Sequence, residues 1–421
     1  MENNESWWKA RYTVLVILFV TWIVSYMDRM VMSAAIPYIA KEWNLSPSAM
    51  GVIMSAFFAG YALCQVPGGI LADKFGPRRL ATIGLVWWSA FTAITGFATS
   101  LANMIWIRVA FGIGEGLYPG GALKLISIWF PLKERATANA FMNSSNALGP
   151  ALAPLFVAVI MAAWGWRTVF YTLFVPGLIM ALFIWVYVKD KPSESKHVSE
   201  AELAEIASKE PQLGSLAKKA GFLDVMKVSI IWQCFFIWML FDVMFWGFVS
   251  WLPSYLVRQR GFELVKMGIT ASLPFFAGTI GLNLGGWISD RFFVGKRKQW
   301  IIMANLISAL FLYLTYTVES ANTAVVFQTF AGLFICMAFA AIWALPMNVI
   351  PSSIMGTAGG FINLGGQIAG FCSPMIMGFL IQAAGGKFDT AFMFLMGGAI
   401  ASSIVALTVN EGKKTTFAAP S

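Results

Sequence analysis

Apolar runs, each broken by a short turn rich in charge or in Gly and Pro, recur from one end of the chain to the other. Roughly 20 consecutive apolar residues are what a helix needs to cross the hydrocarbon core of a bilayer. On that measure the pattern predicts twelve transmembrane helices, near 12–39, 47–72, 80–99, 102–127, 137–162, 168–188, 228–257, 265–289, 300–318, 323–349, 354–383 and 388–409. One sizeable polar stretch interrupts the series, 189–227, and within it "SEAELAEIASKE" (199–210) has the spacing of a surface helix. The predicted fold class is therefore an all-α integral membrane protein. Residues 1–188 form an N-terminal six-helix bundle, 189–227 a cytoplasmic linker, and 228–421 a C-terminal six-helix bundle with a short cytoplasmic tail.

Composition supports this reading and narrows it. The chain is 58% hydrophobic and 12% charged, about half the charge of a soluble domain. Its net charge of +9 does not point to nucleic acid, because the basic residues sit in the loops. Of the 29 Lys and Arg, 20 fall in the N-terminus, the turns near 73–79, 129–136 and 290–299, the 189–227 segment and the tail. The opposite loops hold six, Lys41, Arg167, Arg258, Arg260, Lys266 and Lys387, which places both termini in the cytoplasm. The four cysteines lie in apolar runs at spacings that suit neither disulfides nor a metal, and the single histidine, His197, is in the polar stretch. The first apolar run is too long for a cleavable signal. No G-x-x-x-x-G-K-[ST] occurs, which excludes an ATP-driven pump, and "FGIGEGLYPGG" (111–121) follows no strand that would make it a phosphate loop. No nucleophile–base pair suggests an enzyme, and no cofactor is expected.

The two halves repeat. Gly51, Gly69 and Asp73 recur as Gly268, Gly286 and Asp290 at a constant offset of 217, and "GGILADKFGPRR" (68–79) is echoed by "GGWISDRFFVGKRK" (285–298). Internal repeats with a site between them are the mark of secondary transporters. The pattern G-x-L-A-D-K-x-G-x-R-R after the second span, with its echo after the eighth, resembles the major facilitator superfamily over the whole chain. "YMDR" (26–29), "GYALCQVPGG" (60–69), "RVAFGIGEG" (108–116), "IWFPLKERATANAF" (128–141), "SWLPSYL" (250–256) and "GGFINLGGQIAGFCSPMIMG" (359–378) are similar to its anion:cation symporter branch. That branch includes bacterial permeases for galactonate, glucarate and hexuronates, and animal sialic acid and vesicular glutamate carriers.

Six residues that ionise strongly lie well inside spans, away from their ends: Asp28, Arg29, Arg108, Glu115, Lys124 and Asp242. A charge at mid-membrane costs at least a few kcal/mol and by default marks function. At ~1.5 Å per residue, Asp28 and Arg29 lie about 25 Å from the cytoplasmic end of span 1. Arg108 and Glu115 lie about 10 and 20 Å from the outer end of span 4, on one helical face. The four can meet in one cavity, and a purely structural buried ion pair would usually be cheaper as apolar residues. Lys124, about two turns from the cytoplasmic end, is expected to snorkel. The role of Asp242 stays open, since the branch resemblance suggests Asn there. Tyr26 and Tyr61 offer hydroxyls, and Asn146 and Asn363 sit at matching depths in spans 5 and 11; helix–helix hydrogen bonding is the alternative for each.

Similarity to sugar-acid permeases implies that Tyr26, Arg29, Tyr61, Asn146, Trp343 and Asn363 surround the substrate. Arg29 would hold a carboxylate with its paired donors, and Trp343 would supply an apolar wall. With no nucleotide site and no transmembrane histidine, proton coupling falls to the carboxylates Asp28 and Glu115, with Arg108 available to pair with Glu115 as its proton leaves. Asp73, Arg78, Glu134, Arg135, Asp290 and Arg291 are expected to form a cytoplasmic gate, each aspartate capping or salt-bridging neighbouring helix ends in the outward-facing state. The expected function is proton-coupled import of a small organic anion, a sugar acid or similar hydroxylated monocarboxylate, by a monomer in the bacterial inner membrane working by alternating access. An aromatic acid, a dicarboxylate or a sulfonate is the alternative cargo; an efflux antiporter or a transporter-like sensor is a weaker alternative. Sodium in place of protons is also open.

Overall fold

The computed structural model describes residues 8–207, 226–350 and 354–411, and among these α-helix is the only regular structure apart from one 3₁₀ turn at Pro192–Glu194. Lipid offers no hydrogen-bond partners, so each spanning segment must satisfy its own backbone, which a helix does. In chain order the helices are α1 (Ala10–Trp43), α2 (Pro47–Phe75), α3 (Pro77–Thr95), α4 (Leu101–Gly116), α5 (Tyr118–Trp129), α6 (Leu132–Asn143), α7 (Ser145–Tyr187) and α8 (Glu200–Ala207). They continue as α9 (Ser229–Arg258), α10 (Leu264–Phe292), α11 (Arg297–Thr317), α12 (Ala321–Val349), α13 (Met355–Ala383) and α14 (Asp389–Leu407).

Nine helical runs among the described residues are long and apolar enough to cross a membrane. One of them, Leu132–Tyr187, holds two spans, separated where Gly165 adopts φ 79° and ψ 172°. That is a left-handed backbone conformation in which a side chain would be strained. Helix α3, and α4 with α5 in succession, supply the other two spans, so the twelve predicted from apolar runs are all present. The fourth span is broken at Leu117, ahead of Pro119, which the apolar pattern does not signal. The tenth predicted turn, at 351–353, and the tail beyond 411 lie outside the described residues, as does the second half of the polar segment. Ser100 and Ser320 start α4 and α12, accepting the backbone N–H groups of Asn103 and Thr323 as N-caps do.

The helices assemble into two compact units. One comprises 1–29, 59–149 and 164–213; the other 30–58, 150–163 and 214–421. Helices α1, α2 and α7 each contribute to both. In the first unit α3 packs on α4 and α5; in the second α10 packs on α12, α9 on α13 and α14, and α11 on α12 and α14. The repeat is visible in the packing. A Cβ on Gly68 would meet the Leu117 backbone at 2.9 Å, and one on Gly285, its counterpart, would meet that of Met337 at 2.5 Å. Glycine at both places lets helix backbones touch, the usual way lipid-embedded helices gain contact. Leu63, Val66 and Ile70, at helical spacing on α2, remain exposed, an apolar stripe suited to an apolar solvent.

Candidate functional site

Asp28, Arg29, Arg108 and Glu115 all lie in the first unit and all are buried, at 2%, 7%, 2% and 1% exposure. Two acids and two bases are thus withdrawn from water together. Arg29 Nε donates to Glu115 Oε1 at 2.6 Å, and the Ser25 hydroxyl donates to the same oxygen. Ser25 and Arg29 are four residues apart on α1, hence on one face of the helix, and Glu115 comes from the last turn of α4. The rings of Tyr26 and Tyr61 lie against the Arg29 guanidinium, its Cζ 4.8 and 4.7 Å from their centroids. Both distances are within cation–π range, so the two tyrosines hold the guanidinium as well as offering hydroxyls.

Asp28 follows a different course although it precedes Arg29 directly, because consecutive helical residues do not face the same way. It lies beside Trp88 and Thr92 of α3, with Glu115 and Arg108 its charged neighbours. Neither carboxylate oxygen of Asp28 forms a hydrogen bond of normal geometry, nor does Glu115 Oε2. Arg108 sits within electrostatic range of Glu115 first and Asp28 second, its Cζ 4.5 Å from the Phe111 ring centroid. The four charges expected to converge from their depths do converge. The direct partner of Glu115, however, is Arg29 across the helix interface, and not only Arg108 on its own helix. Ser25, Trp88 and Thr92 were not singled out from sequence. Ser25 carried a usable signal, one turn before Arg29; the α3 residues carried none.

The other expected substrate residues are placed as follows. Asn146 is half-buried in the first turn of α7, three residues before Gly149, whose Cβ would lie 2.4 Å from that of Tyr26. No hydrogen bond joins it to the charged cluster among the described residues. Trp343 and Asn363 belong to the second unit, both half-buried, on α12 and α13. Trp343 packs edge-on against Trp238, ring centroids 4.9 Å apart.

At the helix ends that the Lys and Arg distribution assigns to the cytoplasm, Asp73 pairs with Lys124 Nζ at 2.7 Å, which also donates to Ala72 O at 3.2 Å. Lys124 therefore joins α5 to the end of α2 and does more than snorkel. Asp290 pairs with Arg297 at 2.6 Å, joining the end of α10 to the start of α11. The Arg78 backbone N–H donates to Asp190 Oδ1 at 2.9 Å, so Asp190 caps α3, and the Arg78 side chain donates to Trp185 O. Arg135 Nε donates to Phe130 O at 3.0 Å, and Arg291 lies 5.9 Å from the Trp287 centroid. Glu134 reaches Arg11, which sequence reasoning treated as an ordinary loop charge. Arg11 is 1% exposed and contacts Glu134 at 3.1 Å and Glu205 of α8 at 2.8 Å, while its backbone N–H donates to Glu202. Lys9 adds a second bond to Glu205 at 2.6 Å. Hydrogen bonds from Lys9 and Arg11 hold the Glu205 carboxyl down at about 2, and the Glu205 bond raises the Lys9 ammonium. Among the described residues no group of His, Cys, Asp and Glu is placed to hold a metal ion.

The comparisons with known proteins agree with this architecture. The profile of the Major Facilitator Superfamily matches residues 18–374 and 284–420. The chain is 34% identical over 413 residues to a protein of Cupriavidus necator described as a "probable sulfoacetate transporter", covering 94% of each. It is 32% identical to a "probable galactarate/D-glucarate transporter" of Escherichia coli, covering 95% of this chain and 94% of that one. It is 31% identical to the D-galactonate transporter of an Escherichia coli strain, covering 94% of each. Among solved structures, a D-xylose–proton symporter superposes with a TM-score of 0.77 at 17% identity, over 96% of this chain and 99% of that one. A bacterial homologue of the human lysosomal transporter Spinster, in an inward-facing occupied conformation, gives 0.75 at 19% identity, covering 94% of each. Those two likenesses speak to the fold alone. The chain is a multi-pass membrane transporter, not an enzyme, and it belongs to the major facilitator superfamily.

Proposed function

We propose that the protein is a proton-coupled symporter that imports a small hydroxylated organic acid by alternating access. The carrying observation is the buried Arg29–Glu115 pair at 2.6 Å. The Arg29 guanidinium is held between two tyrosine rings and a carboxylate, and a substrate carboxylate would need the same donors that Glu115 occupies. Protonating Glu115 removes the competitor and leaves Arg29 free to take the anion, so proton and anion enter together. Asp28, with both oxygens open to a proton and Arg108 near it, is the second coupling group. Tyr26, Tyr61, Asn146, Trp343 and Asn363 are the further substrate contacts in this reading.

The cytoplasmic pairs Asp73–Lys124 and Asp290–Arg297, with Arg78, Glu134, Arg135 and Arg291, serve as gate parts that break and re-form between states. Residues 1–188 and 228–421 act as the two moving bundles and 189–227 as their linker. The protein works as a monomer in the bacterial inner membrane, both termini cytoplasmic. The names of the relatives support an organic acid as cargo: galactonate, galactarate or glucarate, and sulfoacetate. The last of these gives a sulfonate standing as a second reading. The test is uptake of galactonate, glucarate and sulfoacetate into proteoliposomes under an acid-outside pH gradient. Accumulation abolished by a protonophore supports the reading. Accumulation that ignores the protonophore and requires sodium refutes proton coupling, and uptake of none of the acids refutes the cargo.

A further inference from the structure

Ser25 is fully buried on α1, one turn before Arg29. A hydroxyl inside a helix commonly turns back to the carbonyl one turn earlier, as Thr21 of the same helix does to Ile17 O at 2.7 Å. Ser25 instead reaches across to α4 and donates to Glu115 Oε1. Arg29 Nε donates to that same oxygen at 2.6 Å. Both tethers of Glu115 therefore come from one face of α1 and end on one oxygen. Its second oxygen, Oε2, is buried and forms no hydrogen bond among the described residues. A buried acceptor left unused is costly unless another stage of the cycle completes it. The charged and titratable groups about Glu115 are Arg29 and Asp28 of α1, Tyr61 of α2 and Arg108 of α4, with Tyr26 against the far side of Arg29.

We propose that Ser25 is a positioning residue that directs the incoming proton to Glu115 Oε2 and holds the protonated side chain in place while Arg29 turns to the anion. This rests on the proton-coupled reading above and adds the step at which the Arg29–Glu115 pair parts. A proton on Oε1 would set its O–H against two donors, whereas Oε2 meets none. Once Oε2 carries the proton, Oε1 is the oxygen of a neutral carbonyl. The Arg29 contact then loses its ion pair. The Ser25 contact loses only the charge assistance, which roughly halves a hydrogen bond, and a neutral bond remains. The proton thus cuts the tether that competes with the anion and spares the other. Without Ser25 the neutral acid would be held by Arg29 alone, the group that has to leave it.

The experiment is an infrared titration of the carboxylic C=O band of the purified full-length protein in lipid. It runs across about pH 4 to 9, where perturbed carboxyl groups titrate. The Glu115 band is the one missing from Glu115→Gln. Because Oε1 is the carbonyl oxygen and accepts from Ser25, Ser25→Ala should move this band to higher frequency. The pH midpoint of the band should rise by about one unit, a tenfold gain in proton affinity, since a bond that favours the ionised form is lost. Ser25→Thr keeps the hydroxyl and should restore both frequency and midpoint. A serine that merely fills space would leave the band where it is. A Glu115 band unchanged in Ser25→Ala, or a Ser25→Thr variant that titrates as Ser25→Ala does, overturns this inference and leaves proton coupling standing. A wild type with no Glu115 band anywhere in that range overturns both.

Discussion

Replacing Glu115 with Gln tests the coupling mechanism most directly. The amide matches the carboxylate in size and can still accept from Ser25 and from Arg29 Nε, the bond now 2.6 Å long. It cannot take or release a proton, so it copies the protonated carrier. Removing one member of a buried ion pair costs about 3–5 kcal/mol when the other charge is left bare. Here a bound anion can restore the balance at Arg29. Ligand should therefore stabilise Glu115→Gln against heat more than it stabilises wild type. A charge-assisted hydrogen bond is worth about 1.5–3 kcal/mol. Relief from the competing carboxylate should accordingly tighten anion binding by roughly ten- to a hundredfold.

Transport should show the opposite sign. One pH unit is worth about 1.4 kcal/mol per proton, so one-for-one symport of a monoanion should concentrate substrate about tenfold for each unit of acid-outside gradient. In proteoliposomes Glu115→Gln should exchange labelled for unlabelled substrate across the bilayer but accumulate none, an inside-to-outside ratio near one whatever the gradient. A mutant that concentrates substrate as wild type does would remove Glu115 from coupling. A mutant that no longer exchanges would show Glu115 to be structural.

Asp28→Asn should show the same loss of accumulation with binding altered less, since Asp28 faces Trp88 and Thr92 and not Arg29; normal accumulation would exonerate it. Arg29→Lys keeps the charge but loses the planar fork that contacts both tyrosines and Glu115, so uptake should fall by about tenfold or more. Near-normal uptake by Arg29→Ala would take that residue out of the site. Arg11→Met should free α8 and speed amide exchange of 200–207, and unchanged exchange would show that the Arg11 contacts do not hold the helix. Because the folded Glu205 carboxyl sits at about 2, below its ordinary value, its contribution is complete above roughly pH 4.5 and fades as pH falls toward 2. Wild-type exchange in 200–207 should therefore show no Glu205 titration step between pH 5 and 8. A reporter after Ser421 should read as cytoplasmic; a periplasmic reading would overturn the orientation drawn from the 20-to-6 distribution of Lys and Arg.

Much of the architecture was legible because hydrocarbon imposes a length rule that any apolar run must obey. The helix α9 starts and ends within a residue of the predicted span 228–257 for that reason. The interruption at Leu117 was not legible from hydropathy, since apolar residues continue through it; Leu117 keeps helical dihedrals, and what changes is the hydrogen-bond ladder ahead of Pro119, which has no N–H to donate. Depth along an axis was equally readable, which is why Asp28, Arg29, Arg108 and Glu115 could be placed at one level. Rotation about the axis was not. It is fixed by how neighbouring helices pack, and it turned Glu115 toward Arg29 and Asp28 toward α3. The partners of Lys124 and Arg11 were hidden for a related reason. A long cationic side chain near a membrane surface looks solvated until its partner is known, and the partners, Asp73 and Glu205, lie 51 and 194 residues away.

The cluster's composition itself bears on mechanism. Two carboxylates and two guanidiniums, all nine-tenths buried or more, sum to zero charge when every group is ionised. Apolar residues in their place would serve stability as well or better, so the charges are there for something other than holding helices together. A neutral set has a particular virtue in low dielectric: it tolerates one proton only if a negative charge arrives with it, and it tolerates an anion only if a proton does. Either species alone leaves a net buried charge, which hydrocarbon surroundings penalise by at least a few kcal/mol. Both together restore the balance. Joint occupancy and joint vacancy are then the two states in which the cluster can cross from one side to the other. On the proposed reading, coupling of anion to proton would follow from charge balance around Arg29, with no long-range signal between separate sites.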